Sequence, residues 1–144
     1  MIKIGNNISE LSTYSCQPKT YDELKEIIKD RISKEGSNCD LNDIDVSLIK
    51  DMSYLFDYSK FNGDISKWNV SNVIDMTGMF YKSNFNRDIS KWNTSKAESM
   101  SYMFASSKFN QDISNWKINK TCDTSHMFIE CPINEEYKPK SLQK

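Results

Sequence analysis

A chain of 144 residues is one domain's worth of protein, long enough for a single core and too short for most multi-domain enzyme architectures. Nineteen Lys and Arg against twenty Asp and Glu leave a net charge of −1, which removes the electrostatic drive of phosphate-backbone binding and argues against a nucleic-acid partner. One His, four Gly and three Pro leave little material for His-based acid–base chemistry, metal cages or Gly-rich phosphate loops; the composition leans towards binding, and no catalytic residue, cofactor or metal is expected.

The opening Met1–Ile–Lys–Ile–Gly–Asn–Asn interrupts any apolar run before it reaches the roughly 7–15 residues of an export signal. No apolar stretch approaches the length of a bilayer span, so membrane insertion is not expected and the chain, as written, reads as cytoplasmic. Residues 1–19 carry a weak Ile2, Ile4, Ile8 pattern that fits either a strand or an irregular run. Thr20–Tyr21–Asp22–Glu23 then forms a capping box, and Leu24, Ile27, Ile28 and Ile32 make one apolar stripe. Together they predict a capping helix in the segment 20–36, over about 21–35, that stops at Gly36 and covers whatever stacks behind it.

The middle of the chain repeats. FNGDISKWN at Phe61–Asn69 returns as FNRDISKWN at Phe85–Asn93 and as FNQDISNWK at Phe109–Lys117, with a period of 24. Trp68, Trp92 and Trp116 keep that beat, as do Phe56, Phe80, Phe104 and Phe128, and Leu41, Ile44 and Val46 extend it backwards. Four units result, at 41–64, 65–88, 89–112 and 113–136. In each, Ile65-x-x-Trp68-x-Val70 and its equivalents have the spacing of a short strand in a leucine-rich-repeat coil, whereas Val73, Met76, Met79 and Phe80 have that of one or two helical turns. A unit so short cannot enclose its own apolar face and must stack on its copies. The expected fold is α/β: a short right-handed leucine-rich-repeat-like solenoid of four coils with a parallel strand ladder and an N-terminal capping helix. Pro132, Pro139 and the polar SLQK sequence predict a fraying tail over 137–144.

Stacking puts identical residues above one another. Asp40, Asp64, Asp88 and Asp112 would repel in a column unless each is tied to backbone N–H groups at a turn, and the same holds for Asn62, Asn86, Asn110 and Asn134. The tryptophan column could offer a sugar-stacking platform, but it shares its position with Ile44 and reads as core. Cys16, Cys39, Cys122 and Cys131 stand at unequal spacings and read as mostly reduced small residues, with a bridge left open. Cys122-x3-His126-x4-Cys131, with Asp123, invites a zinc reading. Against it, Cys131 takes the place of Ser59, Ser83 and Ser107, and His126 that of Tyr54 and Tyr102, so both read as ordinary occupants of their columns.

DISKWNVSNVIDMTGMF at Asp64–Phe80, with PKTYDELKEIIKDRISKEG and CDLNDIDVSLIKDMSYLF ahead of it, resembles the BspA-like leucine-rich-repeat surface proteins of bacteria over residues 17–134. That resemblance implies adhesion or binding to host and matrix proteins at the cell surface or in secreted form, with no known catalytic residues.

The expected function is therefore non-catalytic protein recognition, by a chain that a second copy could join as a homodimer. The alternative is an intracellular inhibitor or adaptor, carried by a phage or mobile element, that blocks a partner enzyme by covering it. Two surfaces are candidates. One lies between the apolar residues of the Trp segment: Lys67, Asn69 and Ser71, then Lys91, Asn93 and Ser95, then Asn115, Lys117 and Asn119, with Asp43, Asp45 and Ser47 in the first unit. The other is an aromatic row of Tyr54, Tyr58, Tyr81 and Tyr102.

Overall fold

A computed structural model describes residues 13–144; the Ile2, Ile4, Ile8 pattern lies outside the described residues. Thr20 opens α1 (Tyr21–Glu35): its Oγ1 accepts the Glu23 N–H at 3.1 Å, and Glu23 Oε1 accepts the Lys19 N–H at 2.7 Å. Gly36, at φ 96°, closes the helix by donating its N–H to Ile32 O. Leu24 and Ile28 are buried against the first repeat unit, and the helix is tied there by Tyr21 Oη to Ser53 O (2.8 Å) and Lys25 Nζ to Tyr54 O (3.2 Å).

From Leu41 onward the chain runs in coils stacked at the 24-residue period. The columns are inside: Trp68, Trp92 and Trp116 are 4% exposed, with ring centroids 6.5 and 6.3 Å apart and planes within 7°. Phe56, Phe80, Phe104 and Phe128 stack at 5.4–5.7 Å, and Phe61, Phe85 and Phe109 at 6.2 Å. Each indole N–H also reaches back to the preceding coil, with Trp92 Nε1 donating to Ile65 O at 3.0 Å and Trp116 Nε1 to Ile89 O at 3.0 Å.

The α/β solenoid with a parallel strand ladder is not what this sequence builds. Among the described residues there is no sheet, only isolated parallel bridges, chiefly Asp51 to Asp75 to Ser99 to Asp123, and α1 is the one α-helix. The strand expected at Ile65–Val70 fails because its amides go to turns and side chains: Asp64 Oδ1 accepts from Ser66 N, Trp68 N–H turns back to Ile65 O, and Lys67 N–H goes to Asn42 Oδ1 of the preceding coil. The helical turns expected near Met76 fail for a different reason. Alternate amides (Met76, Gly78, Phe80, Lys82) donate to the next coil at Ser99, Ser101, Met103 and Ala105, while those between (Met79, Tyr81, Ser83) close i→i−3 turns. A helix would consume every amide within itself and leave none for the neighbouring coil. The cost of the compromise is left-handed backbone at Tyr54, Tyr58, Lys82, Tyr102, Ser106, His126 and Glu130, at φ 54–57°.

The polar columns are tied down by two devices. Asp40, Asp64, Asp88 and Asp112 each accept the N–H two residues on, at 2.8–2.9 Å. The asparagines instead link coils: Asn62 Oδ1 accepts the Asn86 N–H, Asn86 Oδ1 that of Asn110, and Asn110 Oδ1 that of Asn134. The tail does not fray. Tyr137 O accepts the Ile113 N–H at 2.9 Å, Pro139 is buried, and two short 3₁₀ turns, Glu135–Tyr137 and Lys140–Leu142, lie against the last coil.

Candidate partner-binding surface

With the apolar columns inside, what the stack presents outward is set by the residues between them. Lys67, Lys91 and Lys117 are exposed, and among the described residues none of their ammonium groups has a carboxylate within ion-pair distance. Asn69 and Asn93 are exposed as well, each held in an Asx turn by Ser71 N or Ser95 N at 3.1 Å. Lys96, whose Nζ reaches Asn72 Oδ1 at 3.3 Å, and Lys120 are further exposed cations of the same segment.

Asp43 and Asp45, which the sequence places at the acidic start of this row, are occupied by the chain's own N-terminal part. Arg31 Nη1 grips both Asp43 oxygens at 3.0 and 2.9 Å, Ser15 Oγ donates to Asp43 Oδ2 at 2.5 Å, and Gln17 Nε2 donates to Asp45 Oδ2 at 2.9 Å. Burial alone would raise the Asp43 pKa, but the Ser15 hydroxyl and the Arg31 guanidinium outweigh it and hold the carboxyl below its ordinary value. Arg31 is itself raised, first by its hydrogen bonds to Glu35 and then by Asp43. With those acids paired internally, the row is left basic over coils two to four.

The tyrosines form a separate strip. Tyr58 (64% exposed) meets Tyr81 edge to face at 5.6 Å, Tyr81 meets Tyr102 likewise at 6.5 Å, and Lys82 Nζ lies 5.4 and 5.5 Å above the Tyr58 and Tyr81 rings. Tyr54 is 43% exposed and lies across Gly78, the one glycine in its column, so a Cβ there would sit 2.3 Å from its ring. His126 extends the strip, its ring stacked 4.9 Å from Tyr102. Lys82 and His126 escaped the sequence reading as members of this strip, although their 24-residue columns, shared with Tyr58 and with Tyr54 and Tyr102, carried the signal.

The Cys122, His126, Cys131 spacing assembles nothing comparable. Cys131 Sγ lies 3.2 Å from Phe109 O and 3.8 Å from Ser107 Oγ, and Cys122 Sγ faces Asp123 O. Burial raises both thiols, and Asp123 adds to this at Cys122, so each stays protonated and a poor nucleophile. All four cysteines are free. No group of three His, Cys, Asp or Glu side chains converges as a metal cage among the described residues.

The model of the family described as "Mycoplasma protein of unknown function, DUF285" matches residues 23–139, from the first turn of α1 to the C-terminal 3₁₀ turns. No curated protein and no solved structure matches the chain.

Proposed function

The chain belongs to this DUF285 family, and on that premise we propose that it is a non-catalytic protein-recognition module whose lysine row docks an acidic protein surface. The carrying observation is the unequal fate of the charges on one face: Asp43 is ion-paired with Arg31 and Asp45 hydrogen-bonded by Gln17, while Lys67, Lys91 and Lys117 stand exposed on stacked coils with no carboxylate within ion-pair distance among the described residues. A fixed row of like charges steers encounter with an opposite surface and raises the association rate, an effect that salt screens. The asparagines between the lysines, already fixed in turns, contribute side-chain amides to such a contact without a large ordering cost. We further propose kinship with BspA-like surface repeat proteins, a resemblance that implies a partner among host or matrix proteins.

Affinity capture with the purified chain and with the variant Lys67→Glu/Lys91→Glu/Lys117→Glu tests this reading. A partner retained by the parent should be lost or weakened by about tenfold or more in the variant. It should survive Lys60→Glu/Lys82→Glu, which reverses charges outside the row. Capture of the same partner by both variants, or a partner whose association rate is indifferent to salt, would refute it.

A further inference from the structure

The two ends of the stack are chemically unlike. At every junction four alternate amides of one coil donate forward to carbonyls of the next, while a few amides elsewhere in the coil, such as Asn84 to Ser59 O and Lys108 to Ser83 O, donate back. At the last junction Met100, Tyr102, Phe104 and Ser106 donate to Asp123, Ser125, Met127 and Ile129 at 2.8–3.1 Å. In the final coil the same donor positions are held by Thr124, His126, Phe128 and Glu130, and their amides donate to nothing among the described residues. Beside them Ile129 is 46% exposed, and Phe128 is only half-buried where Phe80 and Phe104 are 0% exposed. The C-terminal segment covers other parts of this end, at Ile113 through Tyr137 O and at the Phe128 ring through Lys138 Nζ, 5.4 Å away.

Donor and acceptor matching selects what can sit on this edge. A second copy of the chain cannot pair end to end over residues 124–129, because there the carbonyls of each copy are already taken within its own stack and only amides are left free. The acceptor end of a second copy, at its Asp51, Ser53, Leu55 and Asp57 carbonyls, lies on the side that α1 covers, where Tyr21 Oη already occupies Ser53 O and Lys25 Nζ is bonded to the neighbouring Tyr54 O. A flat extended strand matches poorly as well, since the edge turns left-handed at His126 and Glu130 (φ 57° and 54°). The geometry points to an additional coil of the same repeat type, carried by a different polypeptide whose first coil has no capping helix, docking on residues 124–130 through its backbone carbonyls. Its phenylalanine column would continue over Phe128 in place of Lys138, and its turn would cover Ile129. This edge is distinct from the lysine row, so either reading can fail without the other.

The test uses the intact chain and, as probe, a synthetic peptide of residues 89–112, whose Ser99, Ser101, Met103 and Ala105 carbonyls already accept such amides within the stack. At about 1 mM peptide, hydrogen exchange read residue by residue should slow by about tenfold or more at Thr124, His126, Phe128 and Glu130. Ile129→Asp, at an exposed position where folding is not at stake, should reduce that protection about tenfold, and a scrambled peptide should give none. Unchanged exchange at these four amides, protection confined to other residues, or equal protection by the scrambled peptide would overturn the proposal.

Discussion

Gly63 is where the stack is least tolerant of an added methyl group. It has no left-handed backbone, and Arg87 and Gln111 fill its column in the next two coils, so the coil itself accepts a side chain there. What demands glycine is the chain arriving from α1: a Cβ at 63 would lie 1.8 Å from Cys39 O and 2.9 Å from Cys39 C. Backbone held on both sides cannot swing away. Making room means loosening Asn62 N–H to Ser37 O (2.7 Å) and Leu41 N–H to Asp64 O (3.0 Å), at about 1 kcal/mol each, plus about 1–3 kcal/mol for the overpacking itself. Gly63→Ala should therefore cost about 3–5 kcal/mol. Gly78→Ala is the control, because it too meets a close neighbour, but that neighbour is the ring of Tyr54, 43% exposed and free to move. It should cost only the left-handed backbone at φ 57°, about 1–2 kcal/mol. Urea unfolding followed by tryptophan emission measures both. If Gly63→Ala unfolds within about 0.5 kcal/mol of the parent, or costs less than Gly78→Ala, then the approach of the α1 connection to coil one is wrong.

Thr94 sits buried in the column of Val46, Val70 and Ile118, and its Oγ1 finds no hydrogen-bond partner among the described residues; Thr94→Val should stabilise the protein by about 1 kcal/mol in the same urea assay. Trp92→Ala, which removes an indole stacked on both sides and bonded to Ile65 O, should cost about 3–5 kcal/mol, whereas Trp92→Phe keeps much of the packing and should cost clearly less. Asp64 and Asp88 are held below the ordinary carboxylate pKa by hydrogen bonds from the side chain and amide of Ser66 and of Ser90. Since the folded state binds these protons less readily than the unfolded chain, their stabilisation is complete above about pH 4 and disappears as pH falls through the lowered folded values. Thermal melts from pH 6 to pH 2 should show it, and Asp64→Asn/Asp88→Asn should flatten that limb of the profile.

The period of 24, the inward Trp and Phe columns and the span of α1 are legible in the sequence, because each depends on which side chains repeat and on how a helix is capped, and both are local or periodic properties. The aspartate column could be read too, since an Asp whose carboxylate accepts the amide two residues on makes its own turn. The backbone between the columns could not. The spacing I-x-x-W-x-V fits a strand and Val73, Met76, Met79 and Phe80 fit a helix, yet neither forms, because where each amide goes is decided between coils. Local turns consume some amides, and the neighbouring coil claims alternate ones. The charge of the candidate surface was equally a tertiary outcome. Nothing in the sequence pairs Arg31, Ser15 and Gln17 with Asp43 and Asp45, contacts that span 12 to 28 residues and exist only because α1 and the segment before it fold back onto coil one. The repeat thus fixes which side chains share a column, a matter of sequence distance alone, while the contacts of the chain ends decide which charges stay free and which backbone edge stays open.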